Sequence, residues 1–138
     1  MIVYLDTSVV LRVLVDQLPT LAGWGNWAEA YSSDLMSVEA RRTIDRLRLA
    51  AALDDVGVAD AQAELARIER SLGRIRLTRS VLARAAQPMA TAVRTLDAIH
   101  LASALLLRER HRDDLLFATH DRRQAISARA LGFTCVGV

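Results

Sequence analysis

Four acidic residues lie where an α/β sheet would bring them together. Asp6 directly follows the apolar segment IVYL, and Asp121 comes two residues after the apolar segment LLFAT. Glu39 falls in the second turn of a helix that follows YSS, and Asp97 falls in the first turn of the apolar helix TLDAIHLASALLLRER. Ligands of an open α/β sheet bind at the carboxyl ends of its strands. The spacing therefore predicts that all four carboxylates lie at one edge of the sheet.

Such a group of carboxylates has a definite chemistry. Carboxylates that share a pocket repel one another, so they must take up protons or bind cations. Oxygen ligands without Cys and with few His select Mg²⁺ or Mn²⁺. These ions act mainly on phosphates, where they orient and activate water and neutralise charge on the leaving oxygen. The joint pattern indicates a divalent-metal site that hydrolyses phosphate esters.

Each acid taken alone also has a purely structural explanation. Asp6 and Asp121 could cap the helices that follow them, because Asp is a preferred N-cap residue. Asp97 could complement the dipole of its helix. Glu39 could form an ordinary ion pair with an arginine one or two turns along its own helix. Only the combination of all four favours a metal site.

Composition limits the class of protein. The chain has 138 residues, of which 52% are hydrophobic, and this predicts one domain over residues 1–138 with a substantial core. All eighteen basic residues are Arg, which excludes a P-loop and a Schiff-base lysine. Cys135 is predicted to be a small buried thiol. No signal peptide or membrane span is evident, so we expect a soluble, cytoplasmic protein that does not contact a membrane.

The apolar pattern predicts alternating strands and helices. This alternation is typical of a three-layer α/β/α sandwich with a mostly parallel sheet of four to five strands. Gly23 and Gly25 around Trp24 predict a bend between short helices in a segment, residues 17–30, whose role the sequence does not indicate. The predicted strands are IVYLD, a short strand at YSS, RIRLTR, LLFAT and FTCVGV, and the predicted helices are SVVLRVLVD, SDLMSVEARRTIDRLRLAAAL, VADAQAELARIERSL, SVLARAAQ, TLDAIHLASALLLRER and DRRQAISARALG.

Four segments in order resemble a known family. YLDTSVVLR, SSDLMSVEARR, TLDAIHLASAL and FATHDRRQAISARALGF resemble the PIN domain, and within it the VapC-type toxins of bacterial toxin–antitoxin pairs. The resemblance covers essentially the whole chain, and LDAIHLA followed by THD and a helix is its most specific part. The segment GWGNW has no counterpart among the family motifs.

The resemblance implies a metal-dependent endoribonuclease of PIN-like fold. It implies Mg²⁺ or Mn²⁺ as cofactor, RNA as substrate, a homodimer, and inhibition by a cognate antitoxin protein. The catalytic and metal-binding acids that it implies are Asp6, Glu39, Asp97 and Asp121, with supporting roles for Thr7, Ser8 and Thr119.

Further residues are weaker candidates. Arg12, Arg42 and Arg122 could border the acidic edge and bind substrate phosphates. His100, three residues after Asp97, could touch the site, although a buried and hydrogen-bonded histidine is the favoured interpretation because its helix is apolar nearly all round.

Two alternative functions remain to be weighed. A phosphatase of the haloacid-dehalogenase type also begins with a strand that ends in Asp, but it needs a second Asp where this chain has Ser8, and it needs a lysine. The other alternative is a catalytically silent PIN-like module that only binds RNA or protein. Retention of all four acids disfavours it, since clustered charges without a metal would cost stability.

Overall fold

The fold is built on a five-stranded parallel sheet. The computed structural model describes residues 1–15, 19–111 and 114–138, so the predicted end of the first helix at Asp16 lies outside it. The strands are β1 (Ile2–Leu5), β2 (Glu29–Ser33), β3 (Gly73–Ile75), β4 (Leu115–Ala118) and β5 (Thr134–Val136), and the helices are α1 (Thr7–Val15), α2 (Asp34–Leu49), α3 (Asp55–Ser71), α4 (Arg79–Ala85), α5 (Thr95–His111) and α6 (Arg122–Ala130).

The order of the strands determines where a ligand can bind. The sheet runs β3-β2-β1-β4-β5, and every neighbouring pair is parallel. The connections from β1 through β3 progress toward one edge, whereas β4 returns to the other side of β1. A crevice forms at such a reversal, outside the carboxyl ends of the two strands. The crevice between β1 and β4 is therefore the expected ligand site.

Helices cover both faces of the sheet. Val3 and Leu5 of β1 pack into a buried cluster with residues of α1, α2 and α3. Tyr4, between them, points to the opposite face and packs with Phe117 and with residues of α5 and α6. This alternation explains why IVYL is apolar throughout, because both faces of a central parallel strand are buried. The predicted three-layer α/β/α sandwich is confirmed, and all of its strand pairs are parallel.

Side-chain caps fix where three of the helices begin. Ser33 accepts a hydrogen bond from the Leu35 amide at 3.1 Å and starts α2, and Thr78 accepts one from the Val81 amide at 3.2 Å and starts α4. Asp54 accepts a bond from the Gly57 amide at 2.7 Å. This cap starts α3 three residues before the predicted VADAQ segment, because it satisfies an amide that the first turn leaves free.

The predicted short helices around Trp24 are wrong. Over residues 19–28 the chain forms turns, and Gly23 and Gly25 have φ angles of 77° and 86°. Left-handed backbone of this kind ends a right-handed helix, and glycine adopts it without steric cost. Trp24 and Trp27 nevertheless meet edge to face, with ring centroids 5.1 Å apart, and pack half-buried against the cluster of α1, α2 and α3.

Helix α5 runs through the interior beside the sheet. Its residues from Ala98 to Leu105 are all buried, as the sequence predicts for a helix that is apolar nearly all round. It delivers Asp97 and His100 from its first turns to the crevice. No helix within residues 1–15, 19–111 and 114–138 is both long and apolar enough to cross a membrane.

An ion pair between α2 and α3 gives a first testable prediction. Arg41 donates two hydrogen bonds to Glu69, one of them at 3.0 Å, and these bonds, together with smaller contributions from Ser37 and Arg74, lower the pKa of Glu69 to about 2. Because Arg41 is partly exposed, we expect Glu69→Gln to lower the free energy of unfolding by only about 1 kcal/mol at pH 7. The depressed folded-state pKa means that this contribution is complete above the ordinary value of 4.5 and disappears as the pH falls through about 2.

Urea unfolding at pH 7 and near pH 2 measures the effect. Glu64→Gln is the matched control, because Glu64 pairs with Arg67 of its own helix rather than with a second helix. The two variants should differ at pH 7 and converge in acid. If both variants lose the same free energy of unfolding at pH 7, the ion pair between α2 and α3 contributes no more stability than a pair within one helix.

Candidate active site

Asp6 stands at the carboxyl end of β1 and is held on one side only. Its carboxylate is buried, and its Oδ2 accepts hydrogen bonds from the Ser8 and Thr119 hydroxyls, both at 2.7 Å. Its backbone amide donates to the Ala118 carbonyl at 2.9 Å, which continues the β1–β4 pairing by one residue. Within the described ranges, Oδ1 accepts no hydrogen bond. That oxygen remains available to a cation.

Glu39 projects from the second turn of α2 toward the same point. Its Oε1 accepts hydrogen bonds from the Thr7 hydroxyl at 2.7 Å and lies 2.6 Å from Nε2 of His100. Burial raises the pKa of Glu39, but the bonds and charge of His100 and the bond from Thr7 outweigh it, so the net shift is downward. Glu39 thus pairs with His100 rather than with an arginine of its own helix. As in Asp6, the second carboxylate oxygen, Oε2, has no partner among residues of the described chain.

His100 connects the two acids. The imidazole is 1% exposed, and its Nε2 lies 2.6 Å from Glu39 Oε1 and 3.8 Å from Asp6 Oδ1. Its Nδ1 lies 2.7 Å from the Tyr4 hydroxyl. Burial lowers the pKa of His100, but its bond to Glu39 and the charges of Asp6, Glu39 and Asp97 raise it above the ordinary value. The histidine is buried and hydrogen-bonded as the sequence favours, and its partner belongs to the acidic group.

The pKa of Asp97 lies above its ordinary value. Burial is the largest cause, and the negative charges of Asp6 and Asp121 come next. Glu39 adds a smaller upward contribution, and the charge of His100 acts in the opposite direction. Asp97 and Asp121 also line one cleft of about 450 Å³ between the segment 91–94 and the start of α6. The structure therefore brings the four predicted acids to one edge of the sheet.

Asp121 has a structural role in addition to its place in the cleft. Its Oδ1 accepts hydrogen bonds from the backbone amides of Arg123 at 2.8 Å and Gln124 at 3.3 Å, so it is the N-cap of α6. The capping alternative is correct for this residue. Capping occupies one carboxylate oxygen and fixes the side chain at the end of β4, which does not prevent the other oxygen from meeting a ligand.

Thr119 connects the end of β4 to Asp6. Its buried hydroxyl donates to Asp6 Oδ2, accepts from the Asp121 amide at 3.0 Å and lies 3.2 Å from the Ser8 hydroxyl. Its backbone amide donates to the Val136 carbonyl at 3.0 Å. Gly137 follows with φ of 102°, where an added Cβ would stand 2.5 Å from the Thr119 carbonyl oxygen. The residue that follows β5 therefore lies directly against the segment between β4 and α6, which carries Asp121.

Two of the arginines predicted to bind substrate have other partners in the structure. Arg12 donates to the Pro19 carbonyl at 3.3 Å, and Arg42 pairs with Asp45 on its own helix at 3.2 Å. Arg122 is exposed at the first position of α6, next to Asp121. Of the three, Arg122 is the one that adjoins a residue of the acidic group in the chain.

Three polar residues that the sequence did not single out line the cleft. Arg94 and Arg123 contribute its positive charge, and both are exposed. Gln124 is buried in its wall, where Nε2 donates to the Asp97 carbonyl at 3.1 Å. Its Oε1 has no partner in the part of the chain that is described. The signal was present, because Arg94 precedes Asp97 by three residues and Gln124 follows Asp121 by three.

The donor set fits a hard divalent cation. Asp6 and Glu39 each keep one free carboxylate oxygen, and Asp97 adds a partly buried carboxylate in the same negative field. Over residues 1–15, 19–111 and 114–138, however, no three His, Cys, Asp or Glu side chains are close enough together to hold an ion as they stand. An ion at this edge would therefore be bound directly by one or two carboxylates, with water completing its coordination.

Comparison with known families identifies the fold and the family. The PIN domain family matches residues 3–129, which is most of the chain. This chain belongs to the PIN domain family. The resemblance to the PIN domain is thus confirmed, and the four acids of this PIN domain fall at the carboxyl edge of its sheet.

A solved structure has the same fold. In the crystal structure of VapBC2 from Rickettsia felis bound to a DNA fragment from their promoter, one chain aligns with a TM-score of 0.68 and 10% sequence identity, covering 98% of this PIN domain and 97% of that chain. At this identity the likeness establishes the fold. No curated protein matches the sequence at a significant level.

Proposed function

We propose that this PIN domain is a metal-dependent endoribonuclease, the toxin of a cytoplasmic toxin–antitoxin pair, and that it hydrolyses RNA phosphodiester bonds. The observation that carries the proposal is the geometry of Asp6 and Glu39. Each carboxylate is fixed through one oxygen by short hydrogen bonds, and among the described residues each leaves its other oxygen without a hydrogen-bond partner near the carboxyl end of β1. Preorganised oxygen ligands of this kind suit Mg²⁺ or Mn²⁺ acting on a phosphate.

In this proposal all four acids contribute to binding the ion, but in different ways. Asp6 and Asp97 would be the principal ligands, and Glu39 and Asp121 would complete the site, partly through water. When bound there, a divalent ion would provide activation of a water and would offset the charge on the leaving 3′ oxygen. Ser8 and Thr119 hold Asp6 in place, and Thr7 holds Glu39. The expected products carry a 5′ phosphate and a 3′ hydroxyl.

The cleft beside Asp97 and Asp121 is the proposed path of the RNA. Arg94 and Arg123 line it and can contact phosphates on either side of the cleaved bond. Arg122 lies beside Asp121 and can add a third contact. Of the earlier candidates, Arg42 would first have to leave Asp45, and Arg12 would have to leave the Pro19 carbonyl.

The structural neighbour supports a protein partner. The Rickettsia felis structure is named as VapBC2 bound to a promoter DNA fragment, which describes that pair of proteins. By analogy we propose a cognate antitoxin for this chain, and a homodimer as its own assembly. Expression of the chain should arrest growth, and co-expression of a small upstream reading frame that encodes a DNA-binding protein should restore it.

A catalytically silent PIN-like module is the second candidate. It is favoured by the observation that no three possible ligands among the described residues already stand at ion-binding distance. A silent module would bind RNA or protein without a metal. The two candidates therefore differ in their response to Mn²⁺.

Thermal unfolding with Mn²⁺ and with EDTA, alongside an RNA cleavage assay, separates the candidates. A ligand at 100 times its Kd stabilises the folded state by about 2.7 kcal/mol. For a chain of this size that corresponds to a rise in Tm of roughly 8–10 °C. We expect this rise, together with cleavage that EDTA abolishes. A Tm that does not respond to Mn²⁺ or Mg²⁺, with RNA left intact, would overturn the nuclease proposal in favour of the silent module.

A further inference from the structure

A buried chain of hydrogen bonds leads from the core of the protein to Glu39. The Tyr4 hydroxyl lies 2.7 Å from Nδ1 of His100, and Nε2 of the same ring lies 2.6 Å from Glu39 Oε1. Tyr4 is 0% exposed and His100 is 1% exposed, whereas the Glu39 side chain is 25% exposed. The proposed chemistry assigns no role to Tyr4 or His100. These two residues nevertheless link the buried core to the partly exposed Glu39 side chain at the site.

The partners of the ring fix which nitrogen faces the acid. A carboxylate accepts hydrogen bonds and cannot donate when ionised, so Nε2 must carry the proton that faces Glu39. The Tyr4 hydroxyl can donate to Nδ1 of a neutral ring or accept from Nδ1 of a protonated one, and in both states it fixes the orientation of the ring. Removal of that hydroxyl leaves Nδ1 without this partner, so that the ring is oriented from its Nε2 side alone.

The tyrosine is itself held firmly. Its ring stacks on Phe117 with centroids 5.3 Å apart and an interplanar angle of 18°. It meets the His100 ring edge to face at 6.0 Å and 74°. Tyr4 lies in the middle of β1, which pairs with β2 and β4 on its two sides. The hydroxyl therefore has a fixed place relative to Asp6, which comes two residues later, directly after the strand.

We propose that Tyr4, acting through His100, is a positioning residue that fixes the Glu39 carboxylate so that its free oxygen, Oε2, is available to the divalent cation. The inference rests on the proposed metal-dependent function. A partly exposed glutamate would otherwise lose rotamer freedom when it binds an ion, and prior immobilisation removes that cost. Thr7 still donates to Oε1 when the histidine is absent, so the loss should be partial.

The proposal makes a prediction about Mn²⁺ affinity that requires no RNA. Partners that orient a metal ligand usually contribute about 10- to 100-fold in metal affinity. We expect Tyr4→Phe to raise the Kd for Mn²⁺ about 10-fold and His100→Leu to raise it by about 10- to 100-fold. His100→Gln, which keeps an N–H donor near the position of Nε2, should recover part of the loss. Titration calorimetry of the full chain with MnCl₂ measures all of these values.

The double variant separates positioning from a general structural effect. If Tyr4 acts only through His100, adding Tyr4→Phe to His100→Leu should raise the Kd no further, since residues of one chain of contacts are not additive. Tyr31→Phe is the matched control, because its hydroxyl bonds to the exposed Glu29 and lies outside the site. The control should bind Mn²⁺ as the wild type does.

Each outcome decides between named claims. If the wild type and Glu39→Gln bind Mn²⁺ with different affinities while Tyr4→Phe and His100→Leu match Tyr31→Phe, the positioning role is wrong and the metal site stands. Losses that add in the double variant also overturn it. If the wild type binds no Mn²⁺, the proposed function and this inference fall together. Should His100→Leu fail to fold, Tyr4→Phe and His100→Gln decide the question.

Discussion

Asp6→Asn should lower the rate of RNA cleavage on the order of 1000-fold, which corresponds to about 4 kcal/mol of transition-state free energy. The substitution removes the negative charge of the acid nearest the strand end while it keeps an oxygen that can accept from Ser8 and Thr119. The fold should survive, because the lost charge lies in the field of other carboxylates and its removal relieves repulsion. The variant should therefore unfold at a temperature no lower than that of the metal-free wild type.

The measurement is single-turnover cleavage of a labelled RNA with Mn²⁺, combined with a melting curve with and without the ion. The Tm rise produced by Mn²⁺ should disappear in Asp6→Asn. Asp60→Asn is the control, since Asp60 is an exposed acid on α3 away from the site, and it should cleave at the wild-type rate. Wild-type cleavage by Asp6→Asn would remove the central ligand from the proposed site.

Phe117→Ala should produce the largest loss of stability, about 3–5 kcal/mol in the free energy of unfolding. Phe117 is fully buried on β4, and its ring contacts Tyr4 and Phe133 with centroid distances of 5.3 Å and 5.6 Å. Truncation leaves a cavity between the central strands and α5, which a close-packed interior fills only in part. The loss also removes the surface on which the Tyr4 ring rests.

Urea unfolding followed by circular dichroism measures the loss. Leu82→Ala provides the comparison, because Leu82 on α4 is 46% exposed and its truncation should change the free energy of unfolding by less than about 1 kcal/mol. A similar small change in Phe117→Ala would mean that the aromatic cluster is not the packing centre of its face. If the folded fraction of Phe117→Ala still cleaves RNA, the substitution has lowered the stability without removing the catalytic activity.

Much of the architecture could be predicted from the sequence because the central elements carry unambiguous patterns. IVYL and LLFAT are apolar on both faces, and this places them in the middle of a parallel sheet. Asp6 and Asp121 follow from the same pattern, since Asp6 comes directly after IVYL and Asp121 two residues after LLFAT, whereas Glu39 and Asp97 are placed by the first two turns of their helices. The acids share one negative field because β1 and β4 are parallel and therefore end at the same edge of the sheet.

The remaining errors have physical causes. A helix that is buried all round has no polar face, so periodicity could not show that His100 faces Glu39. The tertiary bond to His100 replaced the local ion pair that α-helical spacing offers to Glu39. In the segment around Trp24, left-handed glycines prevented a helix, and the types of the neighbouring residues did not reveal those φ angles.

The close approach of Gly137 to Thr119 has a genetic consequence. Any side chain at position 137 would push against the Thr119 carbonyl and disturb the bonds that Thr119 makes to Asp6 and Asp121. Under the proposed toxin function, a selection for clones that survive overproduction of the chain should therefore recover bulky replacements at this inconspicuous glycine as well as changes in the carboxylates.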